Sequence, residues 1–180
     1  MRQVGPADVD QVREVRLRAL ADAPDAYWVT EAEALAEPIE AWRDRLARPR
    51  GATFLAEHGG AAIGMAVGNT HHDIDGDAGL YAMWVAPEAR RAGVGRVLIE
   101  AVLGWANAEG FPCVRLTVAD ANAAAIAAYR ALGFTATGRT GTMPAPRDHI
   151  TEHELAVDLR GPADQGADVV MGDQRTTSPP

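Results

Sequence analysis

Hydrophobic and polar positions change period several times along the chain, and each change marks an element. Val9, Val12, Val15 and Ala19 recur at the three- and four-residue spacing of one helix face. Asp8 is placed to cap that helix and Asp22-Ala23-Pro24 to end it, while Val4 reads as a short first strand. Tyr27–Thr30 and an acidic patch (Glu31, Glu33, Glu37) follow. Pro38 is placed to start a second helix with Ile39, Trp42 and Leu46 inward. Ala52–Glu57 and Ala61–Asn69 read as strands joined by a His58-Gly59-Gly60 hairpin turn. His71–Gly79 reads as a polar, solvated loop.

Leu80–Ala86 is apolar and stops at Pro87, as a strand does, and Glu88–Ala92 is a charged turn. From Gly93 the period becomes helical, with Val94, Val97, Leu98, Ala101, Val102 and Trp105 on one stripe and an end near Gly110. Phe111–Ala119 alternates again through Val114, Leu116 and Val118. Ala121–Leu132 is an alanine-rich helix stopped by Gly133. Phe134–Thr140 and Ile150–Leu159 read as the last strands, the second with Leu155, Val157 and Leu159 inward and Glu154, Ala156 and Asp158 outward. Residues 1–160 form one domain. Residues 161–180, with little to bury, read as a disordered tail.

Composition narrows the classes. The chain has 180 residues, 47 % of them hydrophobic and 23 % charged, enough for a real core. No apolar run approaches the roughly 20 residues of a membrane helix, and the first residues lack the apolar core of a signal peptide. A cytoplasmic location without membrane partners is expected. The single cysteine, Cys113, allows no internal disulfide and reads as a small core residue. Net charge is −8, which argues against nucleic acid as a partner and suits a cationic substrate such as an amine.

Two stretches carry chemistry. The first is the strand–turn–helix Leu80–Glu100. Helix-start N–H groups lack intrahelical partners, the helix dipole adds positive character there, and glycines let an anion approach. Arg90, Arg91 and Arg96 add fixed positive charge, so a phosphate or pyrophosphate is the expected ligand. The second is Asn122–Phe134. Seven residues at about 100° each put Asn122 and Tyr129 on nearly the same side of a helix otherwise rich in alanine.

Arg90-Arg91-Ala92-Gly93-Val94-Gly95 matches a Q/R-x-x-G-x-G/A signature after a central strand. Asn122, Ala125, Tyr129, Gly133 and Phe134 match a second signature in the right order. On these residues the sequence resembles the GCN5-related N-acetyltransferases, a family of acetyl-CoA-dependent enzymes, over roughly residues 1–159. The resemblance implies an α/β (α+β) fold: a central mixed, mostly antiparallel sheet of six to seven strands flanked by about four helices. It implies acetyl-CoA as co-substrate, held at the pyrophosphate by Arg90, Arg91, Ala92, Gly93, Val94, Gly95 and Arg96. Met83, Trp84 and Val85 would pair with the pantetheine arm, and a bulge there would expose an N–H to the thioester carbonyl. Asn122 would bond the pantetheine beside Ala125. Tyr129 would be the catalytic acid for the departing thiolate. Homodimers are frequent in this family.

The general base stays open. Leu80–Val85 carries no carboxylate, which leaves Glu31, Glu33, His71, His72, Asp73, Asp75, Asp77, Asp120 or a water chain. Tyr27, Glu31 and Trp84 are the residues expected to line the acceptor site; Trp28 and Trp42 read as packing residues. No metal is expected: counting from Asp73, a calcium loop needs Gly at the sixth position and Glu at the twelfth, and the chain has Ala78 and Trp84. No Lys follows the glycines, which excludes a P-loop. The expected activity is acetylation of a primary amine on a small molecule, an antibiotic or amino sugar. Acetylation of a protein amine, or CoA binding without turnover, are the alternatives.

Overall fold

The computed structural model describes residues 1–160; the segment read as a disordered tail lies outside them. Seven strands form one sheet in the order β1-β2-β3-β4-β5-β7-β6. They are β1 (Arg2–Val4), β2 (Gly51–His58), β3 (Ala61–Thr70), β4 (Ala78–Val85), β5 (Cys113–Ala119), β6 (Thr135–Thr142) and β7 (Thr151–Asp158). Every neighbouring pair is antiparallel except β4–β5. The expected class is therefore observed. Five helices flank the sheet: α1 (Val9–Asp22), α2 (Glu31–Ala36), α3 (Ile39–Leu46), α4 (Val94–Ala108) and α5 (Ala123–Arg130). None is long and apolar enough to cross a membrane.

The sheet separates two cores. Alternation along β2 sends Ala52, Phe54 and Ala56 to the face of α4 and α5, and Leu55 to the face of α1–α3. On the first face Leu98, Ile99, Val102 and Ala106 of α4 pack with Val114, Leu116, Val118, Tyr129 and Phe134. On the second, Val12, Val15 and Ala19 of α1 pack with Trp42 of α3, Met65 and Trp84. Val97 departs from the expected stripe and is exposed: the buried line of α4 lies about 100° further round. Helix α4 also lies unusually low on β3. A Cβ on Gly68 would stand 2.5 Å from the Trp105 ring, so the indole rests directly on the strand backbone.

Several local expectations change. Asp8 does not cap α1: its carboxylate accepts Gly5 N–H at 2.9 Å and pairs with Arg2, closing a single turn before the helix. Pro38 stands one residue before α3, at its N-cap. The patch around Glu31–Ala36 is a helix, started by a reciprocal Thr30–Glu33 capping box. On β7, Glu152 and Glu154 are buried rather than outward.

Candidate functional site

β4 and β5 are bonded only at Ala78–Val114 and Gly79–Arg115. Beyond these pairs the strands separate, leaving the facing edges of Leu80–Val85 and Leu116–Ala119 outside any ladder. Such edges offer backbone donors and acceptors to an extended ligand. On its far side β4 carries a bulge. Between the pairs Met65–Trp84 and Val67–Tyr81, Ala66 opposes both Ala82 and Met83, and Ala82 adopts φ 50°. Left-handed geometry costs an alanine about 1–2 kcal/mol, and such strain clusters at functional sites. A bulge also leaves one N–H without a ladder partner.

The turn after β4 leads to α4. Its N-cap Gly93 sits at φ 84° with open space where a side chain would be, so no side chain blocks the first N–H groups of the helix. Arg91 is also left-handed, at φ 62°. The three arginines differ. Arg90 does not face the helix start: it donates to Asp22 and, at 3.0 Å, to Val85 O. Arg96 pairs with Glu100 at 2.8 Å on the exposed helix surface. Arg91 is exposed and without an ion pair among the described residues. Met83 and Val85 lie within contact of Gly95, so β4 and the first turn of α4 share one wall.

Across the gap, Asn122 caps α5, its Oδ1 accepting Ala125 N–H at 3.2 Å. The cap leaves its amide N–H groups to donate. Tyr129 lies on the same side of α5, its ring 5.7 Å from Phe134. Its hydroxyl has no hydrogen-bond partner among the described residues, and burial pushes its pKa far above the ordinary phenol value. It is therefore a proton donor throughout the neutral range.

The face of α1–α3 is lined differently. The Tyr27 hydroxyl donates to Met83 O at 3.0 Å, and burial raises its pKa to about 12. The next residue, Trp28, donates its indole N–H to Glu152 at 2.7 Å. Arg147, before β7, holds this segment by donating to the carbonyls of Pro24 and Trp28. Residues 24–28 thus form a strap across the cleft. Tyr27 and Trp84 are buried, with Trp84 Nε1 on Asp22 at 2.9 Å, whereas Trp28 is 46 % exposed over the cleft, edge-on to His72. Glu31 is exposed at the start of α2.

The candidate bases are dispersed by their partners. Glu33 is used in its capping box, and Asp120 bonds His153 at 3.1 Å. Asp77 is buried in the loop before β4 and pairs with Arg115 at 2.6 Å. Arg115 also pairs with Glu154 at 2.9 Å. His71 is buried too, correcting the solvated-loop reading. Its Nδ1 accepts the N–H groups of Asp73 (3.2 Å) and Ile74 (3.1 Å), which keeps the ring neutral. His72 bonds the Tyr81 hydroxyl at 3.1 Å, and the Tyr81 ring lies against Gly79, where any Cβ would collide with it. Glu152, Glu154 and Tyr81 were not singled out by the sequence. Among the described residues no group of His, Cys, Asp or Glu is placed to hold a metal ion.

Burial, aided by charge repulsion from the neighbouring His72, lowers the His71 pKa below the usual histidine value. The unfolded chain, titrating near pH ~6.5, then takes up this proton before the folded one. This contribution to stability is complete above that pH and is lost as pH falls through the folded-state value. His71→Asn, whose side-chain oxygen can accept the same two N–H groups, should show a shallower fall in melting temperature between pH 7 and pH 5. Parallel curves for both proteins would place the acid sensitivity elsewhere.

Comparison with known proteins agrees with this geometry. The acetyltransferase (GNAT) family profile matches residues 17–134. A mycothiol acetyltransferase of Thermobispora bispora is 36 % identical over 122 residues, covering 66 % of this chain and 40 % of that protein. The chain thus spans well under half the length of that relative. An aminoglycoside N(6')-acetyltransferase type 1 of Stenotrophomonas maltophilia is 32 % identical over 146 residues, covering 77 % of this chain and 88 % of that one. The crystal structure of a ribosomal-protein-alanine N-acetyltransferase from Brucella melitensis superposes with TM-score 0.74 at 22 % identity, over 88 % of this chain and 98 % of that one, a likeness of fold. The profile match extends from α1 through the glycine turn and α5 to Phe134, just before β6, and on that ground the chain belongs to the acetyltransferase (GNAT) family.

Proposed function

We propose that this chain transfers the acetyl group of acetyl-CoA to a primary amine of a small molecule, an amino-sugar antibiotic being the class we favour. The observation that carries the reading is the splayed, bulged β4, with an unobstructed helix start at its end and a partnerless tyrosine hydroxyl on α5. These parts fit an elongated ligand with an anionic end and a thioester.

Acetyl-CoA, when bound, supplies an activated acetyl thioester. The N–H groups at the start of α4, with Arg91 and Arg96, would hold the pyrophosphate. The open edge of β4 and the Asn122 amide would hold the pantetheine arm. The N–H freed by the bulge would polarise the carbonyl. Tyr129 would hold a proton at its hydroxyl for the sulfur that leaves. The new N–C bond forms as C–S breaks, and the amine's proton passes to solvent or a side chain. The strap over the opposite face narrows the entrance, which supports a small acceptor over a peptide.

Thiol release from acetyl-CoA should be stimulated by kanamycin or glucosamine more than by a peptide with a free N-terminal alanine. Stimulation by the peptide alone would overturn the small-molecule reading. Gly93→Val tests the cofactor turn. Left-handed strain should cost about 1–2 kcal/mol of stability. CoA affinity by calorimetry should fall more, at least about tenfold, because the side chain enters the open space before α4. Unaltered affinity would separate this turn from the cofactor.

A further inference from the structure

We propose that Glu152 receives the acceptor's ammonium group, with the exposed Trp28 indole as the neighbouring wall. The inference rests on the acetyltransferase reading for the place of the reacting carbon and names the chemistry of the second substrate: a primary ammonium, not a neutral alcohol.

Glu152 and Glu154 provide an internal comparison. They face the same side of β7 and are almost equally buried, at 4 % and 6 % exposure. Glu154 has its countercharge in Arg115. Glu152 has only the Trp28 indole N–H, on Oε2, and no ion pair among the described residues; its Oε1 has no donor. The arginines of this region are engaged elsewhere. Arg115 serves Asp77 and Glu154, Arg139 lies 3.8 Å from Glu154, and Arg147 serves two carbonyls of the strap. The carboxylate is largely buried, its Oε1 is without a partner and still open to solvent, and a neutral indole does not compensate its charge. A cation from outside the chain completes the arrangement.

The position suits the second substrate. Counting on from the Gly79–Arg115 pair and allowing for the extra residue of the bulge, Met83–Trp84 and Ala119 stand at about the same height on the two banks of the cleft, and Ala119 is the partner of Glu152. The bulge and Glu152 therefore face each other across the gap. Two consecutive side chains span the distance: Tyr27 to Met83 O, Trp28 to Glu152. Parity along β7 sets Glu152 on the face opposite α5, since Leu155 packs with the α4–α5 core. The acceptor would thus enter from the side away from Asn122 and Tyr129.

Glu152→Gln keeps the volume and an oxygen for the indole while removing the charge. With kanamycin and spermidine as probes, calorimetry on the CoA-saturated protein should show affinity at least about tenfold weaker than in the parent, with CoA affinity unchanged. Melting temperature should hold, since the indole keeps an oxygen to donate to and the open oxygen loses no partner. Trp28→Phe, at a half-exposed position, provides a second variant should the first fail to fold, with kanamycin binding weakened about threefold or more and CoA binding kept. Unchanged amine affinity, a parallel loss of CoA and amine binding, or no binding of either amine by the parent would overturn the proposal. Glu152-dependent binding without acetyl transfer would leave this site standing and remove the acetyltransferase reading. Acetylation of kanamycin with the same KM in parent and variant would do the reverse.

Discussion

Tyr129→Phe is expected to lower kcat for acetyl transfer by about a hundredfold, within the range of a lost general acid. The CoA dissociation constant should change by less than about threefold. The asymmetry follows from the hydroxyl's surroundings. It is buried, pushed far above its ordinary pKa, and bonded to nothing among the described residues, so its removal breaks no contact of the resting protein. The phenol ring that packs on Phe134 is retained in the variant. The ring is buried but the partnerless hydroxyl is not sealed from solvent, so a partner that arrives with the reaction can reach it. Equal losses in rate and in CoA affinity would reduce Tyr129 to a packing residue. Unchanged turnover would remove it from the chemistry.

Arg115→Met is expected to produce the largest loss of stability, about 3–5 kcal/mol by urea denaturation at pH 7. Arg115 bridges two carboxylates, Asp77 at 2.6 Å and Glu154 at 2.9 Å, with only the more distant Arg139 also near Glu154 among the described residues, and all three bridged side chains are mostly withdrawn from water. Methionine fills the space but leaves Asp77 without a countercharge and Glu154 with only the distant, half-exposed Arg139. The loss should propagate to the β3–β4 loop, because Asp77 O also accepts His71 N–H at 2.8 Å. Adding Asp77→Asn and Glu154→Gln should restore much of the stability, since neutral groups need no countercharge. A cost below about 1 kcal/mol would mean that water reaches the network and screens it.

What could be read in the sequence was what period and turn chemistry encode. The strands, the long helices, the Gly59-Gly60 hairpin and the glycine stop at Gly133 follow from nearest neighbours along the chain. The two signatures placed Gly93, Asn122 and Tyr129 on the elements that carry them. Pairings distant in sequence were not legible. Arg90 was counted toward the anion until Asp22, 68 residues earlier, claimed it. Alternation on β7 separated Leu155 from Glu154 correctly, but period two says which residues share a face and not what covers it. The strap from residues 24–28 covers that face, and so Glu152 went unnoticed. The Thr30–Glu33 capping box was present in the letters, yet the surrounding carboxylates made the segment read as a patch of charge.

The two-rung seam between β4 and β5 makes this sheet two plates, one of four strands and one of three. Each plate has its own hydrogen-bond continuity, and past the seam the strap links them on the α1–α3 face. A ligand lying along the open edges would act as an eighth strand between the plates. The core under α4 and α5 already joins the plates from one face; a ligand in the cleft would add the backbone continuity that the seam lacks.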